Sequence, residues 1–377
     1  STAANRPPEN SADLGTWLGF RGVNNAGDPV TDGMPFFQMT PIATYSGIGD
    51  PLFIPMVTED HNHEIAASAT KLKGSHSIKF GGGFVWRLFA VQQSQSPRST
   101  WTFDTSPTNS GSGGGGNTFA SFVLGYPQAE SRTHFPIHPL NRNQEPKLYV
   151  NDDWHASSWL TLNLGLRWEA YTPITEAKNR IAALRQGSNG IWAIQTASDS
   201  DPTVGVKTDW SDWGPRLGFS ASAPARIVFR GGFGLTYNPV QHGAGSMMKN
   251  PPFVQNFGPN TSNASSGGAL PNLFLEDIPP AYTFGDPTKP AGTLGAQSVN
   301  YKMLRSKQFN IVAEKQVGLN VASVGYIGAR IDRIAANINI NQPTIASGAV
   351  NPRRPFFAQF PLVTNITDIE TNITDIE

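Results

Sequence analysis

The sequence predicts an all-β fold, an antiparallel up-and-down meander of hairpins. Three observations predict it. Apolar residues recur with period two along several segments, the signature of strands with one apolar face. Short polar turns alternate with long Gly- and Pro-rich connections. The composition also disfavours helices: of 377 residues 38 are Gly and 30 Pro, and only 15% are charged, whereas helices favour Ala, Leu, Glu and Lys.

The same composition excludes several classes of function. Lys plus Arg and Asp plus Glu number 28 each, so the formal net charge is zero. No basic excess exists to neutralise phosphates, and nucleic acid is not an expected partner. Without Cys there is neither a disulfide frame nor a thiolate zinc site. With 9 Trp and 22 Phe the chain is too aromatic to be disordered. Residues 1–10 lack the basic start and apolar core of a signal peptide. No apolar run approaches the roughly 18 residues of a transmembrane helix. Barrel strands escape that test because their apolar content alternates.

Residues 1–60 read as an irregular, loop-rich segment, 61–340 as the hairpin region and 341–377 as a loop-like tail. The first hairpin joins residues 63–72 to 78–88 across Lys73-Gly74-Ser75. Ile78, Phe80, Phe84, Trp86 and Leu88 share a face there, opposite Ser77, Lys79, Gly81, Gly83 and Arg87. The second joins 147–154 to 160–169 across His155-Ala156-Ser157-Ser158. Its second strand alternates most strictly: Leu160, Leu162, Leu164, Leu166 and Trp168 against Thr161, Asn163, Gly165, Arg167 and Glu169. The third joins 215–221 to 227–237 across Ser222-Ala223-Pro224-Ala225, with Ile227, Phe229, Phe233, Leu235 and Tyr237 opposite Arg230, Gly232, Gly234 and Thr236. The fourth joins 307–315 to 319–328 across Gln316-Val317-Gly318, and its second strand alternates less cleanly. Alternation on both sides of a Gly-, Ser- or Pro-containing turn is the ordinary hairpin signal.

The connections between hairpins are of another kind. They are long and rich in Gly, Pro, Ser and Asn, with residues 111–116 and 261–268 as the extremes. Loops of that length are uncommon in compact soluble domains. One end of the sheet is plain and the other elaborate, an asymmetry shared with transmembrane β-barrels of the bacterial outer membrane. The strand length agrees. Trp159 and Trp168 bracket a segment of roughly 30 Å at ~3.3 Å per residue, which projects to about 23 Å at ~40° tilt, close to the ~25 Å band between aromatic girdles. On this reading Trp86, Trp159, Trp168, Tyr171 and Tyr237 belong to the girdles. Leu160, Leu162, Leu164, Leu166, Ile227, Phe229 and Phe80 face lipid. The pattern also fits a large soluble β-sandwich with core aromatics.

Four segments in order resemble one family. Lys147-Leu148-Tyr149-Val150-Asn151-Asp152-Asp153-Trp154, followed by Leu160-Thr161-Leu162-Asn163-Leu164-Gly165-Leu166-Arg167-Trp168-Glu169, resembles the "YxQDDW…LTLNLGLRYE" hairpin of TonB-dependent outer-membrane receptors. Gly74-Ser75-His76-Ser77-Ile78-Lys79-Phe80-Gly81-Gly82 is similar to their "GxHSLKFG" hairpin. Gly214-Pro215-Arg216-Leu217-Gly218-Phe219 with Arg230-Gly231-Gly232-Phe233-Gly234 is similar to "PRLGFAY…VRGGYG". Asn117-Thr118-Phe119-Ala120-Ser121-Phe122-Val123-Leu124-Gly125 resembles the loop element "NxFADFLLG". The nearest subgroup is the Oar-like, large-loop type. The resemblance implies a barrel segment in the outer membrane, contacting lipid, with long loops that capture a small nutrient ligand. A plug domain, a TonB box and the aromatic-ended C-terminal strand are not recognisable, and about eight strands stand where the family has ~22. The expectation is therefore part of a receptor barrel, its open sheet edges satisfied by further strands or another chain. The chain ends with residues 364–370 repeated verbatim as 371–377, which carries no functional pattern. The alternative is a soluble or secreted β-rich module, structural, assembling or carbohydrate-binding, derived from such a barrel.

Catalytic chemistry is not indicated, and an enzyme is not expected. No Gly-x-Ser-x-Gly elbow, His-Glu-x-x-His or Walker loop occurs. Asp152 and Asp153 are adjacent in a strand, so they point to opposite faces and do not converge. His61 and His63 share one side of a strand beside Asp60 and Glu64, which is at most a weak metal pattern. Asp199, Asp201, Asp209 and Asp212 crowd one loop and are the candidate for calcium, though their spacing is irregular. Arg167 and Glu169 share the polar face, where a barrel places its lumen. The aromatics placed in loops, Trp101, Trp192, Trp210 and Trp213, are the expected grip on a ligand.

Overall fold

The computed structural model describes residues 2–5, 13–20, 22–24, 31–41, 44–109, 115–135, 137–238, 248–257, 273–277 and 285–373. Most of the glycine run at 111–116 and all of 261–268 lie outside the described residues. The strands are β1 (Thr2–Asn5), β2 (Phe36–Met39), β3 (Met56–Lys73), β4 (His76–Gln92), β5 (Thr100–Phe103) and β6 (Ala129–His134). They continue with β7 (Asn141–Ser157), β8 (Leu160–Glu169), β9 (Thr175–Glu176), β10 (Ala182–Gln186), β11 (Trp192–Thr196), β12 (Trp213–Ala223) and β13 (Ile227–Asn238). The last are β14 (Gln255–Phe257), β15 (Gly292–Gln297), β16 (Leu304–Val317), β17 (Asn320–Asp332), β18 (Ile334–Asn339) and β19 (Val363–Ile373). Two short helices, α1 (Leu14–Trp17) and α2 (Thr118–Val123), complete the described elements with a few 3-10 turns. No described helix is long and apolar enough to cross a membrane.

The long strands form one antiparallel sheet in the order β1-β3-β4-β7-β8-β12-β13-β16-β17, with β9 added to β7. All four expected hairpins are present, as β3–β4, β7–β8, β12–β13 and β16–β17. Their turns are tight. Lys73 pairs with His76 and Val317 with Asn320, and Gly74 and Gly318 supply the left-handed backbone (φ +59° and +62°) that such two-residue turns require. The β12–β13 turn does the same with Ala225 and Arg226, at φ +62° and +57°, a strain of about 1 kcal/mol or more at each. Among the described residues β17 pairs only with β16 and β1 only with β3, so the sheet is open.

Registers carry each strand's alternation across the sheet. Phe80 lies opposite Val150, which lies opposite Leu166, which lies opposite Pro215. Leu164, Leu217, Phe233 and Phe309 form another such row. One face is therefore apolar from β4 to β16. The other carries Glu64, Arg87, Glu145, Lys147, Arg167, Arg230 and Glu314. Glycines let aromatic rings lie flat on the apolar face: a Cβ on Gly231 would stand 2.5 Å from the Phe219 ring, and one on Gly328 2.4 Å from that of Phe309.

Beyond the loop ends of these strands the connections fold into their own small sheets: β14-β6-β5-β2, β10-β11 and β15-β19-β18. Large, fully buried apolar side chains lie in these sheets. Trp101, Phe103, Leu184, Leu294 and Ile366 are all under 2% exposed. Two sequence expectations change here. Residues 1–60 are not irregular throughout, since β1 pairs with β3, β2 pairs with β5, and β3 already begins at Met56. The tail is not loop-like, because β19 is the centre of a three-stranded sheet. Its apolar residues Val363 and Ile366 are three apart, a spacing foreign to a regular strand. The register against β15 skips Thr364, and this bulge returns both to the buried face.

Candidate functional site

The polar face of the main sheet carries a lattice of ion pairs within and between its strands. Glu64 on β3 pairs with Lys147 on β7, and Arg87 on β4 with Glu145 on β7. Arg167 on β8 pairs with Glu169 two residues on, at 2.8 Å, and Arg230 on β13 with Glu314 on β16 at 3.0 Å. The strand period of two and the registers put these groups side by side. The first three pairs, with Asn62 and Tyr171, enclose a recess of about 410 Å³. Acids and bases balance there, so the face is strongly polar without net charge.

Tyr171 faces this recess. Its hydroxyl donates to Glu169 at 3.4 Å, and burial beside Glu169 and Glu145 holds its pKa above the usual phenol value. It is therefore not a girdle residue, a correction that its odd-numbered parity with Arg167 and Glu169 explains. Trp168, on the other parity, does lie on the apolar face. Trp213 pairs with it across β8–β12, ring centroids 6.2 Å apart, and Trp210 stacks on it at 6.1 Å. The Trp168 indole N–H donates to the Trp210 carbonyl at 3.0 Å, and the Tyr237 hydroxyl to the Trp213 carbonyl at 3.0 Å. Trp86 is 39% exposed on the same face, and Trp159 sits in the β7–β8 turn at the other end. Leu160, Leu162, Leu164, Leu166, Ile227, Phe229 and Phe80 all lie on the apolar face by register.

The four loop tryptophans expected to grip a ligand do not come together. Trp101 is 1% exposed in the core of Phe37, Met39, Phe103 and Leu273, with no surface to offer. Trp192 packs edge-on to Phe356 at 5.5 Å. Trp210 and Trp213 belong to the Trp168 cluster.

The four loop acids are each held by protein partners, and Asp209 and Asp212 lie together beside Arg333. Asp199 accepts from Asn179 at 2.7 Å, and Asp201 from the Gly205 N–H at 2.9 Å. Asp209 pairs with Lys302 at 2.9 Å and Asp212 with Arg333 at 3.3 Å. Burial, with the Asp209 charge nearby, pushes the Asp212 carboxyl up to about 6. Asp152 bonds His76 at 2.7 Å on the apolar face, and Asp153 bonds Asn163 at 2.5 Å on the polar one. Among the described residues no three His, Asp or Glu side chains gather into a metal-holding group.

A second concavity, of about 480 Å³, lies among the loop sheets between β6, β14, β15 and β19. Lys249 reaches into it, its ammonium 3.1 Å from the Gln93 carbonyl and 4.7 Å from the Phe135 ring centroid. No local sequence pattern marks Lys249; only the packing of distant strands gives it a pocket.

An antiparallel meander with one apolar and one charged face defines a β-barrel wall, and the comparisons agree. The family model described as "Outer membrane beta barrel domain" matches residues 1–375. The chain belongs to that family, and its place is the bacterial outer membrane. Among solved structures it is similar to the outer membrane transporter YddB from Escherichia coli, at 8% identity and a TM-score of 0.45, covering 89% of this chain and 32% of that one. It is also similar to the siderophore receptor PirA from Acinetobacter baumannii, at 11% identity and a TM-score of 0.36, covering 90% and 36%. The chain thus spans about a third of these proteins' length. No curated protein sequence matches it.

Proposed function

We propose that the chain is part of the wall and extracellular cap of an outer-membrane receptor or transport barrel, which captures a scarce small nutrient, such as a chelate or glycan fragment, in its loops. The observation that carries this reading is the inversion of burial. The loop sheets bury their apolar side chains, as water-soluble domains do. The main sheet exposes them instead: Phe80 is 49%, Leu148 58% and Leu217 55% accessible. A continuous apolar face of this size is unstable in water and satisfied by lipid, while the paired charges behind it suit a hydrated lumen. Trp86, Trp168, Trp213 and Tyr237 then form the girdle at the loop end, with Trp210 stacked beneath them, and Trp159 the girdle at the turn end.

The free edge of β17 fits a larger barrel. Val324 and Tyr326 are exposed on one of its faces and Val321 and Ile327 on the other. Among the described residues no strand pairs with its outer edge, which further strands, in the same polypeptide or another, would take up. The role proposed is binding and passage rather than catalysis, and among the described residues no acid, base and nucleophile converge. The test is refolding into vesicles containing brominated acyl chains. Quenching of tryptophan fluorescence and a boiling-dependent shift in gel mobility are expected. A chain that remains in the aqueous phase, folded and unquenched, would instead be a soluble β-rich module.

A further inference from the structure

The concavity around Lys249 has the make-up of a ligand site rather than a packing defect. Its walls are apolar where Phe53, Phe135, Val254 and Leu294 line it, and polar where Gln95, Thr133, Asn256 and Thr293 do. A volume of about 480 Å³ falls within the ~300–1,000 Å³ usual for small-molecule pockets. Six separate stretches of chain build it, so the loop cap must be folded for it to exist.

Its electrostatics are lopsided. Among the described residues Lys249 is the sole cation in the lining, and neither Asp nor Glu lines it. Burial alone pushes the Lys249 ammonium down to about 8, with no acid nearby to hold it up. A lysine ammonium carries three N–H donors, and the Gln93 carbonyl takes one. The Phe135 ring supplies a cation–π contact but no hydrogen bond. The ammonium therefore faces the cavity with donors to spare and a charge that lacks an anion.

Phe53 supplies the second feature. It holds φ +67°, a left-handed backbone that is rare and costly for a bulky residue. Two bonds to one neighbouring segment keep it there: its N–H donates to the Gln95 carbonyl at 2.9 Å, and its carbonyl accepts from Gln93 Nε2 at 3.1 Å. The strained backbone keeps the ring at the cavity wall, 48% exposed rather than buried.

We propose that this pocket binds a small organic monocarboxylate, the carboxylate pairing with Lys249 and the carbon skeleton lying against Phe53 and Phe135. One ammonium matches one negative charge. A phosphate monoester carries nearly two and would leave part of its charge unpaired against apolar walls, which is costly. This deepens the receptor reading and rests on it: it names the chemical class of the captured ligand and places it in the loop cap.

The experiment titrates benzoate, its neutral analogue benzamide, and phenyl phosphate into the full chain in non-ionic detergent by calorimetry. Benzoate is expected to bind the wild type at least tenfold more tightly than benzamide or phenyl phosphate. Lys249→Met should remove that preference, while Lys249→Arg keeps benzoate affinity within a few fold. In the wild type, benzoate affinity should fall about tenfold between pH 7 and pH 9 as the ammonium of the free protein loses its proton, and benzamide affinity should not change. This pH arm needs no variant to fold. Equal binding of benzoate and benzamide, an unchanged benzoate affinity in a folded Lys249→Met, or tighter binding of phenyl phosphate would each overturn the proposal. Bromolipid quenching of each protein refolded into brominated vesicles reports the barrel reading separately, so the failure of one is not mistaken for the failure of the other.

Discussion

Leu217→Arg tests the orientation of the wall most directly. Leu217 lies four positions from Trp213 along β12, or roughly 13 Å at ~3.3 Å per residue. A strand tilt of ~40° places it about 10 Å below the loop-end girdle in an apolar band ~25 Å tall, close to the bilayer midplane. Its cross-strand neighbours are Leu164 on β8 and Phe233 on β13, neither of which can meet a guanidinium. An arginine at that depth costs about 2–4 kcal/mol, roughly 30- to 1,000-fold in the folding equilibrium. Two controls bracket it. Gln308→Arg, on the polar face opposite Gly234 and Ala329, should shift stability by no more than about 0.5 kcal/mol, as surface changes do. Leu164→Arg should fall between the two, because Leu164 lies opposite Asp152 on β7, whose carboxylate can pair with the new cation. Urea titration of the chain folded in vesicles gives all three values. If Leu217→Arg costs no more than Gln308→Arg, the apolar face does not meet lipid.

Other consequences concern the cap. Glu176 accepts from the backbone N–H groups of Leu140, Lys178 and Arg180 and from the Arg180 guanidinium. Burial opposes ionisation, but these bonds outweigh it and draw its pKa down to about 2. Because the folded-state pKa is depressed, this stability is present above pH ~4.5 and lost as pH falls towards 2; Glu176→Gln should cost about 3 kcal/mol at neutral pH and remove that acid sensitivity. Asp212 behaves oppositely. Its folded-state pKa of about 6 lies above the unfolded value of ~3.9, so the cap loses up to about 3 kcal/mol as pH rises through that window, and Asp212→Asn should flatten the profile and stabilise at pH 7. Phe103→Ala, at a fully buried ring edge-on to Phe122 at 5.2 Å, should cost about 3–5 kcal/mol in thermal unfolding of the cap, while bromolipid quenching of the wall persists.

How much of this was legible in the sequence follows from what each strand packs against. Most of the eight long strands read clearly because they have one apolar and one polar face, and a two-residue period records that directly; β17, with apolar residues on both faces, alternates less cleanly. Even the misassigned aromatics were within reach of it. Trp213 shares the parity of Pro215, Leu217 and Phe219, which puts it on the apolar face, and Tyr171 shares that of Arg167 and Glu169, which puts it on the polar one. The cap strands hide because they are short, and some are covered on both sides as well. Ala182–Gln186 has no exposed position until Gln186, so no alternation survives, and Trp101 lies in a four-residue strand that looks like loop. In β19 the period is broken by the bulge at Thr364. The Lys249 pocket is the extreme case, assembled from segments about 300 residues apart with no local pattern in any of them.

The separation of the two regions also constrains how they work together. The wall derives its order from strand pairing and lipid, and its polar face is held by paired charges that leave little net field along the recess. A charged ligand would find no strong trap there once past the loops. The cap supplies what the wall lacks: a dry core of its own, a pocket holding the Lys249 ammonium without a carboxylate among the described lining residues, and a ring held at the pocket wall by a strained backbone. On the proposed reading, selection would fall to the cap and passage to a neutral, hydrated wall, so that tight binding and release would be handled by different surfaces. It makes a further demand. Arg87→Ala and Lys147→Ala on the wall should leave benzoate affinity in the cap unchanged, while altering conductance or solute leakage in reconstituted vesicles. If they abolish benzoate binding instead, wall and cap form one site.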